Sequence, residues 1–199
     1  MAARTNGVHN DLVRRALAIV LARIQPVATS SAVEYRVVGT AAAMLRGVPL
    51  PVGDLDILLK ERRGVDLFAQ VLSDFPCITP PTYLADARQY FANYDVDGVK
   101  AELSTVEWET HSDAVECIGC ASWEHFSLVG IDSFAAPVVA LELRVVSELV
   151  RGRSKQFTVV AGFLRRNGCD IELVRRGMCA GGVPEQRQLE VLALLGWEN

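Results

Sequence analysis

The chain has 199 residues, half of them hydrophobic, with 20 basic and 24 acidic side chains. This length suits one domain with a helical appendage, and the hydrophobic share is ample for a sizeable core. No apolar run approaches the ~20 residues that a membrane span needs, and the first residues lack the apolar centre of a signal sequence. Five cysteines, an odd number, favour a reducing cytosol over a disulfide framework. We therefore expect a cytoplasmic protein without a membrane partner.

Charge is distributed unevenly along the chain. Residues 1–140 carry 11 Lys/Arg against 17 Asp/Glu, whereas residues 141–199 carry 9 against 7. An acidic half followed by a basic half suits a nucleotide held between them, although ordinary solvated helix faces produce the same pattern. The overall acidity argues against a non-specific nucleic-acid binder but leaves one specific RNA as a possible partner.

The first predicted elements are a helix, a strand and a second helix. Apolar residues recur with near-helical spacing over residues 10–24, and we expect Pro26 to end this helix. Arg36–Val38 is a short apolar run that predicts a strand. Residues 41–46 are strong helix formers, stopped by a glycine and two prolines.

A second predicted strand, over residues 54–59, carries two carboxylates. Asp54 and Asp56 project to one face, because side chains alternate along a strand. Like charges this close repel unless a cation lies between them, and Mg²⁺ takes oxygen ligands. Upstream, Gly39 lets the backbone approach a ligand closely, and Thr40 leads into a helix whose free N–H groups face that ligand. The arrangement can hold a metal-bound phosphate.

This stretch, Tyr35–Lys60, resembles the nucleotidyltransferase superfamily that includes DNA polymerase β. The family signature is Gly-Ser or Gly-Gly, a gap of roughly ten residues, and Asp-x-Asp or Asp-x-Glu between apolar residues. Gly39-Thr40 and Asp54-Leu55-Asp56 match it, with a threonine whose hydroxyl can donate to a phosphate as serine does. A lone Asp-x-Asp could also be a surface strand end. The interpretation therefore rests on the occurrence of Gly39-Thr40 and Asp54-Leu55-Asp56 together, at the spacing of the family signature.

A hairpin is predicted next, with arms at 88–94 and 99–106 and an Asp-Gly turn between them. Lys100 and Glu102 fall on the face opposite its apolar residues. The superfamily places a third carboxylate on the strand after Asp-x-Asp, and Gly98–Leu103 resembles that segment with Glu102 in the carboxylate position. The alternative for Glu102 is an exposed charge paired with Lys100. Weaker substitutes lie further along, at Glu107, Glu109 and Glu116.

Helical and extended segments alternate through the rest of the chain. The predicted elements are a polar turn at 61–64, a helix at 65–72, a proline-broken loop at 73–81 and a hairpin over 126–134 that turns at Gly130. Pro137 is expected to open the most regular helix, which Gly152 ends. Further helices are predicted at 157–166, 170–176 and 184–195.

The most regular helix and its end also resemble a segment of several nucleotidyltransferase families, in which Leu-Glu is followed by a helix and Gly-Arg-x-Lys-Asp. Leu141-Glu142 and Gly152-Arg153-Ser154-Lys155 match this pattern. The resemblance implies that Lys155 and Arg153 reach phosphates; solvated charges at a helix C-terminus are the alternative. The departures are Glu148, where a lysine is common, and Gln156 and Val159, where aspartates are common.

Together these features predict an α/β (α+β) fold: a small mixed nucleotidyltransferase-type sheet flanked by helices, with a catalytic core at 1–134 and a C-terminal helical subdomain at 135–199. The resemblance implies transfer of a nucleoside monophosphate from an NTP to an acceptor hydroxyl, with release of pyrophosphate. The implied catalytic and metal-binding residues are Asp54, Asp56 and Glu102, with Mg²⁺ or Mn²⁺ as the cofactor. The implied nucleotide-binding residues are Gly39, Thr40, Lys155 and Arg153.

Several alternatives stay open. The acceptor could be an aminoglycoside- or lincosamide-like small molecule, an RNA such as a tRNA end, or a protein hydroxyl. A catalytically silent nucleotide-binding or regulatory module is favoured by Gln156 and Val159, but the intact Asp54, Asp56 and Glu102 count against it. A purely structural interaction domain would bind no NTP. The preferred NTP and the oligomeric state do not follow from the sequence.

Overall fold

Residues 2–107 and 115–197 are described by a computed structural model of the chain, with side chains from residue 9 onward. These residues form a mixed sheet with helices packed around it, which confirms the predicted fold class. The strands are β1 Tyr35–Val38, β2 Asp54–Leu59, β3 Cys77–Leu84, β4 Gln89–Val96, β5 Val99–Val106, β6 Phe126–Ile131 and β7 Phe134–Val139. The helices are α1 Ala2–Ser31, α2 Gly39–Leu45, α3 Arg62–Val71, α4 Ala121–Glu124, α5 Leu141–Val150, α6 Ser154–Asn167, α7 Ile171–Ala180 and α8 Glu185–Leu194.

The strands lie in the order β3-β4-β5-β2-β1-β7-β6. The β2–β5 and β1–β7 pairs are parallel, and the other neighbours are antiparallel. In the β2–β5 pair, Asp54 lies opposite Lys100 and Asp56 lies opposite Glu102. Adjacent strands are ~4.8 Å apart, so side chains at paired positions share one face and lie close together.

Two hydrophobic cores position the site. The larger core fills one face of the sheet, where Leu55 and Ile57 of β2 and Leu103 of β5 are buried with residues of α1 and α3. A second core lies among α5–α8 and includes Ala43 of α2. Because α2 contributes to both cores, it connects the C-terminal helices to the sheet.

The first helix is longer than predicted. Pro26 was expected to end it, but α1 runs from Ala2 to Ser31 and contains that proline. A proline inside a helix removes one hydrogen bond and crowds the preceding turn, which costs about 3 kcal/mol. Ile24 is fully buried, and Val27 and Ala28 pack against the larger core. Burial on both sides of Pro26 therefore offsets the lost hydrogen bond.

The predicted proline-broken loop at 73–81 is also wrong in part, because Cys77–Leu84 forms β3. This strand lies at the edge of the sheet. Its register against β4 shifts between Thr79 and Thr82, where two prolines stand. A proline has no N–H to donate, so it is tolerated at an edge and at a bulge but not in a central strand.

The last hairpin extends further than predicted. It turns at Asp132 rather than Gly130, and its second arm, β7, includes Pro137. Pro137 therefore does not open a helix; α5 begins at Leu141. The predicted boundary between residues 134 and 135 cuts through the start of β7, so the helical elements start later than expected. The division into two domains remains a prediction.

The remaining elements follow the predictions closely, except that residues 62–64 of the predicted polar turn form the first turn of α3. Strand β2 and the β4–β5 hairpin have the expected positions, and the predicted helices are present with shifts of a few residues at their ends. Among the described residues, no helix combines the length and hydrophobicity that a membrane span requires. The five cysteines are free thiols. A cytoplasmic location remains a prediction from their number.

Candidate active site

A cavity of about 400 Å³ opens beside β2, β5 and the end of α5. All of the predicted site residues except Lys155 line it. Its lining consists of Val38, Gly39, Thr40, Asp54, Asp56, Ala87, Gln89, Glu102, Ser104, Val106, Cys117, Arg144, Arg151 and Arg153. Residues from both halves of the chain thus meet around one concave surface.

The carboxylates are brought together by strand pairing. Asp54 and Asp56 alternate with buried Leu55 and Ile57 on β2, so both project away from the larger core. Glu102 on β5 lies directly opposite Asp56 in the parallel register. Three carboxylates from two neighbouring strands therefore lie at the cavity, as the sequence pattern predicted.

Lys100 is the cationic side chain nearest to this group in the β2–β5 pair. Its ammonium Nζ lies 3.3 Å from Asp54 Oδ2 and 3.6 Å from Glu102 Oε2. Burial opposes the charge of Lys100, but the hydrogen bond to Asp54 and the nearby carboxylates outweigh it and raise its pKa. The pairing of Lys100 with Glu102 that the sequence allowed as an alternative is therefore present, although Lys100 itself does not line the cavity.

Glu102 is held by two amides on the neighbouring strand. Gln89 Nε2 donates to Glu102 Oε1 at 3.2 Å. With its amide nitrogen facing the carboxylate, Asn93 donates to Glu102 Oε2, also at 3.2 Å. Asn93 lies opposite Glu102 in the antiparallel β4–β5 pairing. These bonds restrict the orientation of the Glu102 carboxylate.

Asp56 lies against the start of α2. A β-carbon built on Gly39 would come within 2.2 Å of Asp56 Oδ2, and Gly39 has a φ of +72°. Burial, the adjacent charge of Asp54 and that of Glu102 raise the pKa of Asp56 to about 7. A cation would bind favourably beside Asp56, because it would offset this excess of negative charge.

Sequence reasoning largely missed a buried network beneath Gly39. Gly39 N–H donates to Glu116 Oε1 at 3.0 Å, and Arg144 Nη1 lies 2.7 Å from Glu116 Oε2. Arg144 also donates to Glu148, through Nε at 3.0 Å and through Nη2. Glu116, Arg144 and Glu148 are all at most 2% exposed.

This network changes the expectations for Glu116, Gly39 and Glu148. Glu116 was only a weak candidate for the third carboxylate, and the structure places it beneath Gly39, whose N–H a phosphate could bind only after displacing it. Glu148 stands where the nucleotidyltransferase families that the segment resembles commonly have lysine, and here it pairs with Arg144. An Arg and a Glu four residues apart on a helix that is mostly apolar were the sequence signal for this pair. Glu109 lies outside the described residues.

The basic side chains divide into two groups. Arg151 and Arg153, after the end of α5, line the cavity. Lys155, in the first turn of α6, is exposed and does not line it. Arg153 Nη1 also lies 4.0 Å from Glu148 Oε2, which accepts no hydrogen bond from the residues that the structure describes. The structure thus places Arg153 at the cavity, together with Arg151, which the sequence did not single out.

The donor chemistry at the cavity suits a hard divalent cation, because Asp54, Asp56 and Glu102 offer carboxylate oxygens. As placed, however, no three His, Cys, Asp or Glu side chains in the described part of the chain converge closely enough to hold a metal ion. The three carboxylates fit such an ion in kind, and their side chains would have to close around it.

No protein-family model matches the sequence, and no curated protein matches it at a significant level. Solved structures do match. One is a candidate nucleotidyltransferase from Thermotoga maritima, with a TM-score of 0.54 and 21% identity, over 78% of this chain and 96% of that one. Another is an antigenic nucleotidyltransferase-like protein from Paracoccidioides brasiliensis, with a TM-score of 0.49 and 12% identity, over 91% of this chain and 92% of that one.

The likeness to the Thermotoga maritima structure extends over 78% of this chain, and it concerns the fold alone. It agrees with the resemblance that Gly39-Thr40 and Asp54-Leu55-Asp56 indicated in the sequence. The chain therefore has the nucleotidyltransferase-type fold.

Proposed function

We propose that this chain is a metal-dependent nucleotidyltransferase, which transfers a nucleoside monophosphate from an NTP to an acceptor hydroxyl and releases pyrophosphate. The observation that carries the proposal is the meeting of Asp54, Asp56 and Glu102 on one face of β2 and β5, within a cavity that arginines also line. The shared fold supports the same reaction class by analogy only.

Each group around the cavity has a role in this proposal. Asp54, Asp56 and Glu102 hold the divalent cation. When bound, Mg²⁺ or Mn²⁺ lowers the pKa of the acceptor hydroxyl and neutralises charge on the departing pyrophosphate. Gln89 and Asn93 orient the Glu102 carboxylate through their hydrogen bonds.

The triphosphate meets positive charge from the C-terminal half. Arg151 and Arg153 would neutralise phosphate oxygens, and the Thr40 hydroxyl would donate to one of them. Lys155 and Gly39 are also proposed to contact phosphates, but more weakly. Lys155 does not line the cavity, and the Gly39 N–H already donates to Glu116. A cavity of about 400 Å³ is in the range of single small-ligand sites, so the acceptor would bind at its mouth.

The test is a transfer assay on the purified chain. Each NTP, labelled, is supplied with Mg²⁺ or Mn²⁺ and a panel of hydroxyl acceptors: aminoglycoside- and lincosamide-like molecules, tRNA and protein. We expect metal-dependent pyrophosphate release and a labelled acceptor. Asp54→Asn and Asp56→Asn should each lower the rate by orders of magnitude while circular dichroism shows an intact fold.

Other results would replace the proposal. Binding of an NTP without pyrophosphate release under any condition would identify the silent nucleotide-binding module. Absence of NTP binding would leave a structural interaction domain. Undiminished activity in both aspartate variants would remove these residues from the mechanism.

A further inference from the structure

Lys100 places an ammonium group between two of the three carboxylates. It stands on β5 directly opposite Asp54, and Glu102 is two residues further along the same strand, on the same face. Lys100 Nζ lies 3.3 Å from Asp54 Oδ2 and 3.6 Å from Glu102 Oε2. The side chain is 40% exposed, so only part of its stem is fixed by packing.

This ammonium balances charge that otherwise has no compensation within the triad. Asp54, Asp56 and Glu102 bring three carboxyl groups to neighbouring positions on two paired strands. Opposite charge at 3–4 Å offsets a substantial part of that repulsion, because unit charges attract each other several times more strongly near a protein surface than in bulk water. Lys100 thus stabilises the metal-free arrangement of the strands.

The same position conflicts with a metal ion. Mg²⁺ binds carboxylate oxygens at about 2.0–2.1 Å. A cation shared by Asp54 and Glu102 would lie in the space that Lys100 Nζ occupies, and it would repel the ammonium. The two cations cannot occupy this position together.

We propose that Lys100 is a built-in counter-ion of the acidic triad, which a divalent cation displaces when it binds, and that this competition sets the metal affinity of the site. This inference rests on the proposed metal-dependent function. The displaced side chain has a route outward, because it is partly exposed. Asp95, directly opposite Lys100 on β4, offers a second carboxylate on the same face.

The test uses Lys100→Met, which removes the charge and keeps an unbranched side chain. Binding of Mn²⁺ and of Mg²⁺ alone, without nucleotide, is measured by calorimetry and by electron paramagnetic resonance of Mn²⁺. We expect Lys100→Met to bind the metal about ten- to a hundredfold more tightly than the wild type. In EDTA, its Tm should fall, because the carboxylates lose their counter-ion.

Lys60→Met is the matched control. Lys60 forms an ion pair at 2.6 Å with Glu34, and neither residue lines the cavity. The Lys60→Met variant should bind the metal with the affinity of the wild type. Metal binding that is equal or weaker in Lys100→Met overturns the inference and leaves the proposed function standing. If neither wild type nor Lys100→Met binds a divalent cation, with or without an NTP, both the inference and the metal-dependent function are overturned.

Discussion

The Asp56 carboxylate occupies the space in which a side chain on Gly39 would begin. A β-carbon there would lie 2.2 Å from Asp56 Oδ2, far inside any normal contact distance. Gly39 also has a φ of +72°, a conformation that side-chain-bearing residues rarely adopt. The glycine of the Gly-Thr pair is therefore needed to seat the second aspartate of Asp-x-Asp.

Gly39→Ala should consequently damage both the fold and the site. We expect a loss of about 1–3 kcal/mol in the free energy of unfolding, measured by urea denaturation, from backbone strain. Displacement of Asp56 by about 1 Å should lower transfer by roughly a hundredfold. Gly53→Ala is the control, since a β-carbon there meets nothing within 4 Å. Equal effects from the two substitutions would contradict this account of Gly39.

Glu102→Gln should abolish transfer and leave the fold intact, because the amide cannot supply a charged metal ligand. NTP binding through a metal ion held by Asp54 and Asp56 should persist, and transfer and NTP binding are measurable on the same preparation. Glu107→Gln should be nearly silent in transfer, because Glu107 faces Arg62 in a two-bonded ion pair at 2.6 Å and does not line the cavity. Loss of transfer in Glu107→Gln with Glu102→Gln still active would reverse their roles.

The pKa of Asp56, raised from 3.8 to about 7, predicts a pH dependence of stability in the metal-free protein. Between these two values the folded chain binds more protons than the unfolded chain, so the free energy of unfolding falls as pH rises. A pKa shift of about three units corresponds to at most ~4 kcal/mol in the free energy of unfolding, and solvent in the cavity reduces this contribution. Urea denaturation in EDTA at pH 5 and pH 8 should show this fall.

Asp56→Asn is the control for that measurement, since the amide does not titrate. The variant should be more stable than the wild type at pH 8. Its free energy of unfolding should decrease less between pH 5 and pH 8, because the contribution of Asp56 to that decrease is absent. An identical pH dependence in both proteins would assign the effect to other groups.

Arg144→Met should be strongly destabilising, because it removes the buried arginine that neutralises the carboxylates of both Glu116 and Glu148. Removing one member of a buried ionic network typically costs about 3–5 kcal/mol. The denaturation midpoint of Arg175→Met should hardly move, since the Arg175–Glu172 pair is exposed. Adding Glu116→Gln and Glu148→Gln to Arg144→Met should recover part of the loss; no recovery would mean that uncompensated charge is not its cause.

Arg153→Ala and Lys155→Ala separate the two predicted phosphate contacts. A charge-assisted hydrogen bond to phosphate contributes roughly 1.5–3 kcal/mol, or about ten- to a hundredfold in affinity. We expect Arg153→Ala to weaken ATP binding by this factor and AMP binding much less, as measured by calorimetry. Lys155→Ala should have a small effect, because Lys155 does not line the cavity. The opposite ranking would restore the assignment that the sequence suggested.

Local sequence determined the elements that carry the carboxylates. Alternation along residues 54–59 places Asp54 and Asp56 on one face, and the turn at Asp97-Gly98 sets the hairpin that presents Glu102. These features depend on neighbouring residues: the side-chain period of two in a strand and the positive φ that an Asp-Gly turn accepts. They could therefore be predicted without knowledge of the rest of the chain.

Tertiary structure decided which of these groups meet. The parallel β2–β5 register that pairs Asp56 with Glu102 joins segments about 45 residues apart, and only the packed sheet sets it. Burial of Glu116 and Arg144 beneath Gly39, like the exposure of Lys155, depends on how α5–α8 pack against α2. Such contacts bring together residues whose sequence spacing carries no periodic signal, so only the packed cores decide them.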